Sequence, residues 1–254
     1  MTKWYQRIIN KIKNHKEELP KFEVIEILKT RQGEGKYQGL PIVLMRMAGC
    51  NLRCVWNTAN RCDSEYTWEF HSNVAEEVTS EEAVKRVSNL MGDGRKTIMI
   101  TGGEPMLWQN NAGWIDMLRR LKKKGYLIHI ETNGTVKVNS ESAKYIDFFD
   151  ISPKASLYPS MYNRDNVSSY LGTEHVWKFV VSSRFDILNI ISFLANVGLK
   201  EKPNEPIYLM GLGANKQQLH ASMQYITDEG LGLLKANGIN ARMSARQQVE
   251  ENFL

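Results

Sequence analysis

Cys50, Cys54 and Cys62 are the three cysteines of a 254-residue chain. They fall in one window, Gly49-Cys50-Asn51-Leu52-Arg53-Cys54 and then Cys62-Asp63-Ser64. Three thiols on one loop cannot all close into disulfides, since one is left over. They can hold a single metal centre. One version is a structural zinc ion. Another is a four-iron, four-sulfur (4Fe-4S) cluster on three thiolates, whose fourth iron stays open to a further molecule. The third version has no metal, because free cysteine packs as a small buried hydrophobe. These readings differ in what must stand around the sulfurs, so the other unusual clusters in the chain bear on the choice.

Those clusters are positioned by an alternating pattern. Apolar runs predict strands at 22–28, 40–47, 97–100, 126–130, 148–151, 176–181 and 207–210. Amphipathic segments predict helices at 80–91, 113–124, 140–145 and 184–197, with a capping box at Thr79 and Glu82 opening the first and Gly125 closing the second. Residues 215–237 read as helical with a break near Gly230 and Gly232; a short strand follows from 239, and 155–173 has no clear period. This order implies an α/β fold with a mostly parallel sheet. The run 40–47 is apolar almost throughout, as in a strand covered on both faces, and Arg46 interrupts it near its C-terminal end. A charge placed there suits a ligand contact better than a core position. Each polar or glycine-rich cluster follows a strand: Thr30 to Gly35, the cysteine loop, Thr101-Gly102-Gly103-Glu104-Pro105, Glu131-Thr132-Asn133-Gly134, Ser152-Pro153-Lys154 and Met210-Gly211-Leu212-Gly213. In parallel α/β folds ligands bind at that rim of the sheet, so the clusters are expected to converge on one site.

Taken together these residues resemble the radical S-adenosylmethionine (SAM) enzymes, with a three-cysteine loop after the first barrel strand and Gly-Gly-Glu-Pro after the second. Gln32-Gly33-Glu34-Gly35, the stretch from Pro41 through Arg46 to Cys54, Cys62-Asp63-Ser64 and the Ser152-Pro153-Lys154 turn are similar to the 7-carboxy-7-deazaguanine synthase family, over residues 22–213. The resemblance implies a partial (β/α) barrel of the radical SAM type. It implies that Cys50, Cys54 and Cys62 hold a 4Fe-4S cluster, with Ser64 as a hydroxyl ligand for Mg²⁺. SAM contacts are implied at Arg61, Cys62, Asp63, Gly102, Gly103, Glu104, Ser152, Pro153, Lys154, Met210, Gly211, Leu212 and Gly213. Substrate contacts are implied at Arg31, Gln32, Gly33, Arg46 and Thr101. The implied chemistry is cleavage of SAM to a 5′-deoxyadenosyl radical, which starts the ring contraction of 6-carboxy-5,6,7,8-tetrahydropterin to 7-carboxy-7-deazaguanine with loss of ammonia. Implied partners are this pterin, an electron donor of the flavodoxin or ferredoxin type, and a second copy in a homodimer. A glycyl-radical activase would share the cysteine loop and Gly-Gly-Glu-Pro, but has no need of the other motifs.

Two features depart from the family pattern. The usual spacing is Cys-x3-Cys-x2-Cys; here Asn57 takes the third position and residues 57–61 are inserted before Cys62. A longer loop costs little closure entropy, and the Asp-Ser pair after Cys62 marks it as the third ligand. The C-terminal segment is only faintly similar, and Arg246 and Gln247 are candidates there without an assigned role.

The remaining composition narrows the setting. The chain is 42% apolar and 24% charged, ordinary for a globular protein. It lacks an apolar run of the roughly 18–20 residues that span a bilayer, and lacks a signal-peptide core. Unpaired clustered cysteines fit a reducing cytoplasm. Net charge is +5, and residues 1–21 hold six basic residues against two acidic ones. The rest is near neutral, which argues against nucleic acid as partner. Residues 1–21 read as an N-terminal extension before a catalytic domain at 22–254, with Trp4, Tyr5, Ile8, Ile9 and Ile12 on one helical face for docking onto the body or a second subunit. The five histidines show no metal-ligand spacing, and His129 in its strand reads as a satisfied core residue.

Overall fold

The structure is a computed structural model and describes residues 19–57, 60–92, 95–198 and 206–251. The helix expected at 3–16 lies outside them. In chain order the elements are β1 (Phe22–Arg31), β2 (Pro41–Met47), β3 (Val55–Asn57), β4 (Asn60–Arg61), β5 (Glu76–Val78), α1 (Ser80–Leu90), β6 (Thr97–Gly102), α2 (Ala112–Lys123), β7 (Leu127–Thr132), α3 (Ser140–Ala143), β8 (Phe148–Ile151), α4 (Arg164–Ser168) and β9 (His175–Val181). There follow α5 (Arg184–Asn196), β10 (Ile207–Gly211), α6 (Lys216–Tyr225), a π-helical turn (Ile226–Gly230), α7 (Leu231–Ala236), β11 (Ala241–Met243) and α8 (Gln247–Glu251).

One sheet carries the site, in the order β11-β10-β9-β8-β7-β6-β2-β1-β5. From β2 to β11 the pairs are all parallel, while β1 pairs antiparallel with both β2 and β5. The two edge strands do not pair with each other, so the barrel is partial, as expected. Side chains alternate across a strand, and that alternation builds both layers here. One face sends Val43, Met45, Ile98, Ile100, Ile128, Ile130, Phe149, Phe179 and Leu209 into the main core with the helices. Each such side chain is worth about 1.5–3 kcal/mol on full burial. The other face starts apolar, with Ile42, Leu44 and Met99 in one cluster and Phe148, Val176 and Tyr208 in another. Two residues further along the same strands and the same face come Arg46, Thr101, Asp150, Lys178 and Met210, beside Glu131 of β7. The inner face is thus an apolar plug capped by a polar band.

Local chemistry sets the helix starts. Thr79 and Glu82 form the expected capping box on α1, and the Asn111 side chain caps α2 by accepting from the Trp114 N–H. Gly125 takes φ +79° just past α2, a left-handed conformation that favours glycine. Several short elements had no legible signal. β5 and the β3–β4 hairpin are two or three residues long, too short for a period, and α4 is a single turn within 155–173. Among the described residues no helix is long and apolar enough to cross a membrane.

Candidate active site

The loop after β2 is pinned by backbone from two directions. Gly103 N–H donates to Met47 O at 3.1 Å, and Glu104 N–H to Gly49 O at 2.8 Å. The two chains approach so closely that a Cβ on Gly103 would lie 2.1 Å from Gly49 O, and one on Gly102, at φ +117°, 2.4 Å from Met47 O. Only glycine allows this contact. Asn51 then links the loop to the end of β7, donating to Thr135 Oγ1 at 2.7 Å and accepting from Asn133 Nδ2 at 2.9 Å. Tyr158 clamps Arg53 by donating to its carbonyl at 2.7 Å.

The described ends of the insert, Asn57 and Asn60, meet. The Asn57 side-chain oxygen accepts from the Asn60 N–H at 2.9 Å and from Asn60 Nδ2 at 3.0 Å, closing the β3–β4 hairpin. The Cys62 N–H then donates to Cys54 O at 3.0 Å, which returns the third cysteine to the loop. Cys50, Cys54 and Cys62 all line one cavity of about 810 Å³, whereas Asn57 does not. Burial pushes the Cys50 thiol up to about 12 and the Cys54 thiol up to about 11, and raises Cys62 in the same way. Nearby Lys154 works against this at Cys54. Without a metal these sulfurs stay protonated; metal binding makes them thiolates.

The cavity also gathers most of the strand-end clusters. Arg31, Gln32, Gly33, Arg46, Arg61, Asp63, Ser64, Thr101, Gly102, Gly103, Ser152, Lys154, Met210, Leu212 and Gly213 line it. Three expected contacts do not: Glu104, Pro153 and Gly211 are absent from its wall. Glu104 is wholly buried. Its carboxylate accepts from the Met106 N–H at 3.0 Å, the Thr132 hydroxyl at 2.7 Å and the Asn133 N–H at 2.6 Å. It therefore ties the β6 turn to the end of β7. Burial raises its pKa to about 6 against those three donors. In this structure those three internal donors engage Glu104, and its carboxylate stands behind the cavity wall.

Charged side chains form the opposite wall. Arg46 Nε donates to Glu26 at 2.7 Å, and Nη1 lies 3.4 Å from Ser64 Oγ. Asp63 accepts from Arg246 at 2.6 Å and from the Ser64 hydroxyl at 3.2 Å. Arg246 also donates to Glu34 at 3.2 Å and to Gly213 O at 3.3 Å. The C-terminal segment, left without a role by its sequence, thus closes the site. Arg246 and Val249 line the cavity, the Gln247 N–H donates to Gly33 O at 3.2 Å, and Glu251 of α8 pairs with Arg31. His129 is buried in the plug against Tyr37 and Phe148, and burial pulls its pKa down to about 4. It is a core residue as expected, but among the described residues its Nδ1 has no hydrogen-bond partner.

The chain matches the Radical SAM superfamily over residues 44–226. It is 31% identical to a 7-carboxy-7-deazaguanine synthase of Pyrobaculum aerophilum, over 82% of this chain and 87% of that one. The chain belongs to this family of radical SAM enzymes. A 7-carboxy-7-deazaguanine synthase of Koribacter versatilis is 30% identical over 73% of this chain and 76% of its own. The fold matches the crystal structure of QueE from Escherichia coli with a TM-score of 0.64, 22% identity, and 89% and 93% of the two chains covered.

A radical SAM family member carries a 4Fe-4S cluster and binds SAM, and three free cysteines, Cys54 buried and Cys50 and Cys62 half-buried, lining one cavity suit that group. The Leu52 N–H also points at Cys50 Sγ, 3.4 Å away, as a sulfur acceptor requires. Asp150 and Lys178 were not singled out from the sequence, and Glu34 and Glu131 stood only within quoted motifs, without a role of their own. Lys178 had a signal of the same kind as Arg46, a lone charge inside an apolar strand, one strand-face repeat from the end.

Proposed function

We propose that this chain performs the family reaction, ring contraction of 6-carboxy-5,6,7,8-tetrahydropterin to 7-carboxy-7-deazaguanine with loss of ammonia. The observation that carries this is the single cavity shared by three cysteines, the Gly102–Gly103 turn and the Gln32–Arg46–Thr101 wall. When bound, the cluster and SAM supply an electron and a 5′-deoxyadenosyl radical.

The chain's own residues divide into two groups. Cys50, Cys54 and Cys62 hold the cluster. Gly102 and Gly103 present backbone at the cluster loop to the amino-acid end of SAM. Ser152 and Lys154 stand beside them, with the Lys154 ammonium held 2.7 Å from Ser152 Oγ. Met210, Leu212 and Gly213 line the adjoining wall under the rest of the nucleoside. Arg31, Gln32, Gly33, Arg46 and Thr101 face the pterin. A guanidinium such as Arg46 can grip a carboxylate with two parallel bonds, and Glu26 fixes its plane. Ser64 offers a hydroxyl to Mg²⁺, and Asp63 beside it adds the anionic oxygen such a hard ion favours. A flavodoxin- or ferredoxin-type protein delivers the electron, and the enzyme works as a homodimer in the cytoplasm.

The test is direct. The protein is reconstituted with iron and sulfide, then given SAM, a reductant, Mg²⁺ and 6-carboxytetrahydropterin. The expected outcome is 7-carboxy-7-deazaguanine by mass spectrometry, with turnover lowered when Mg²⁺ is chelated by a hard-ion chelator that spares the cluster. SAM cleavage without that product would assign the chain to another radical SAM reaction.

A further inference from the structure

Behind the substrate wall lies a buried charge cluster that the roles above leave unused. Lys178 of β9 is fully buried, yet it is surrounded by acids. Its ammonium pairs with Glu131 of β7, lies 3.1 Å from Glu34 of the β1–β2 loop, and 3.7 Å from Asp150 of β8. Glu34 and Glu131 line the cavity; Lys178 and Asp150 do not. Asp150 is 2% exposed, and among the described residues its Oδ1 has no hydrogen-bond partner. Its Oδ2 accepts a hydrogen bond from Gln32 Nε2 at 3.2 Å. Gly35 packs so tightly on this carboxyl that a Cβ there would sit 3.1 Å from Oδ2.

We propose that Lys178 is a positioning residue of the substrate pocket, holding Glu34 and Glu131 as a fixed anionic pair from behind the wall, and that a proton on Asp150 leaves the ammonium to those two. This rests on the pterin reading given above. One ammonium cannot serve three carboxylates equally. Arg246 takes part of the load at Glu34, and Thr101 donates to Glu131 at 3.1 Å. Asp150 has only Gln32 and the far side of Lys178. An ionised carboxylate with a bare buried oxygen is costly, and a protonated one is not. Burial raises Asp150 to about 7, with Lys178 opposing and Glu131 and Glu34 reinforcing. Below that pH Lys178 is directed at the wall. Above it Asp150 becomes a third anion, draws the ammonium back, and adds negative charge behind a pocket that receives an anionic substrate.

The experiment measures the dissociation constant of 6-carboxytetrahydropterin on the reconstituted protein, without reductant, by calorimetry from about pH 6 to about pH 8.5. Wild type is expected to bind about fivefold more weakly at the upper end, while Asp150→Asn holds one dissociation constant once the ligand's own titration, common to both, is subtracted. Lys178→Met is expected to weaken binding about tenfold across the range. An unchanged wild-type slope in Asp150→Asn, or Lys178→Met within twofold of wild type, would overturn the proposal. If Lys178→Met does not fold, the Asp150→Asn slope decides alone. A wild type that binds SAM but no pterin at any pH overturns the functional reading, and this proposal with it.

Discussion

Single residues bear on which position completes the metal centre. Asn57 stands where the short spacing would put a third cysteine, but its side chain is used in closing a hairpin, and Cys62 is returned to Cys54 by a backbone bond. Cys62→Ala is expected to retain no stable cluster, read as loss of bound iron and of charge-transfer absorbance, while Asn57→Ala keeps both. Iron content unchanged in Cys62→Ala would remove it from the ligand set. His129 makes a separate prediction about stability. Its folded pKa is depressed to about 4 by burial, so the stability it contributes is fully present above the unfolded value of about 6.5 and is lost as pH falls through 4. In urea unfolding, wild type should lose on the order of 2 kcal/mol more than His129→Phe between about pH 7 and about pH 4.5. Identical acid limbs would show that the imidazole is not held neutral.

Elements differ in how directly they touch the site. The turn after β6 and the loop after β2 are one unit, joined by backbone bonds and by the glycine contact at Gly103. Gly103→Ala has to push Gly49 away, at a cost of about 2–3 kcal/mol, and should lower iron retention with it. Thr79→Ala removes the α1 cap on the far side of β6. It should cost about 1 kcal/mol in denaturant titration and leave iron content as in wild type. A Gly103→Ala protein that holds iron normally would show that the two loops move independently. The same contrast explains what was legible at this scale. Capping residues and apolar periods mark α1, α2 and the long parallel strands, because those signals are local. The β3–β4 hairpin and α8 have no such signal. Their places depend on Cys54 for the first, and on Gly33, Arg31 and Glu34 for the second, residues distant in sequence.

For the molecule as a whole, the cluster and the fold should stabilise each other, since the three sulfurs lie on a loop pinned to β6, β7 and the 155–173 segment. Stripping the iron from the reconstituted protein should lower Tm by several degrees, roughly as mass action on a tightly bound group requires. Cys62→Ala should melt with the stripped wild type; a variant melting with the loaded protein would contradict the linkage. The amino-acid sequence by itself determined the α/β order, the cysteines' clustering on one loop, and the convergence of strand-end clusters, because parallel strands all bring their C-terminal ends to one rim. Only the tertiary structure decided which members of those clusters face the cavity. Glu104 turned inward because Met106, Thr132 and Asn133 satisfy it, and Arg246 turned toward the site because Asp63 and Glu34 wait there. Those outcomes depend on distances between residues as much as 212 positions apart, which no local pattern encodes.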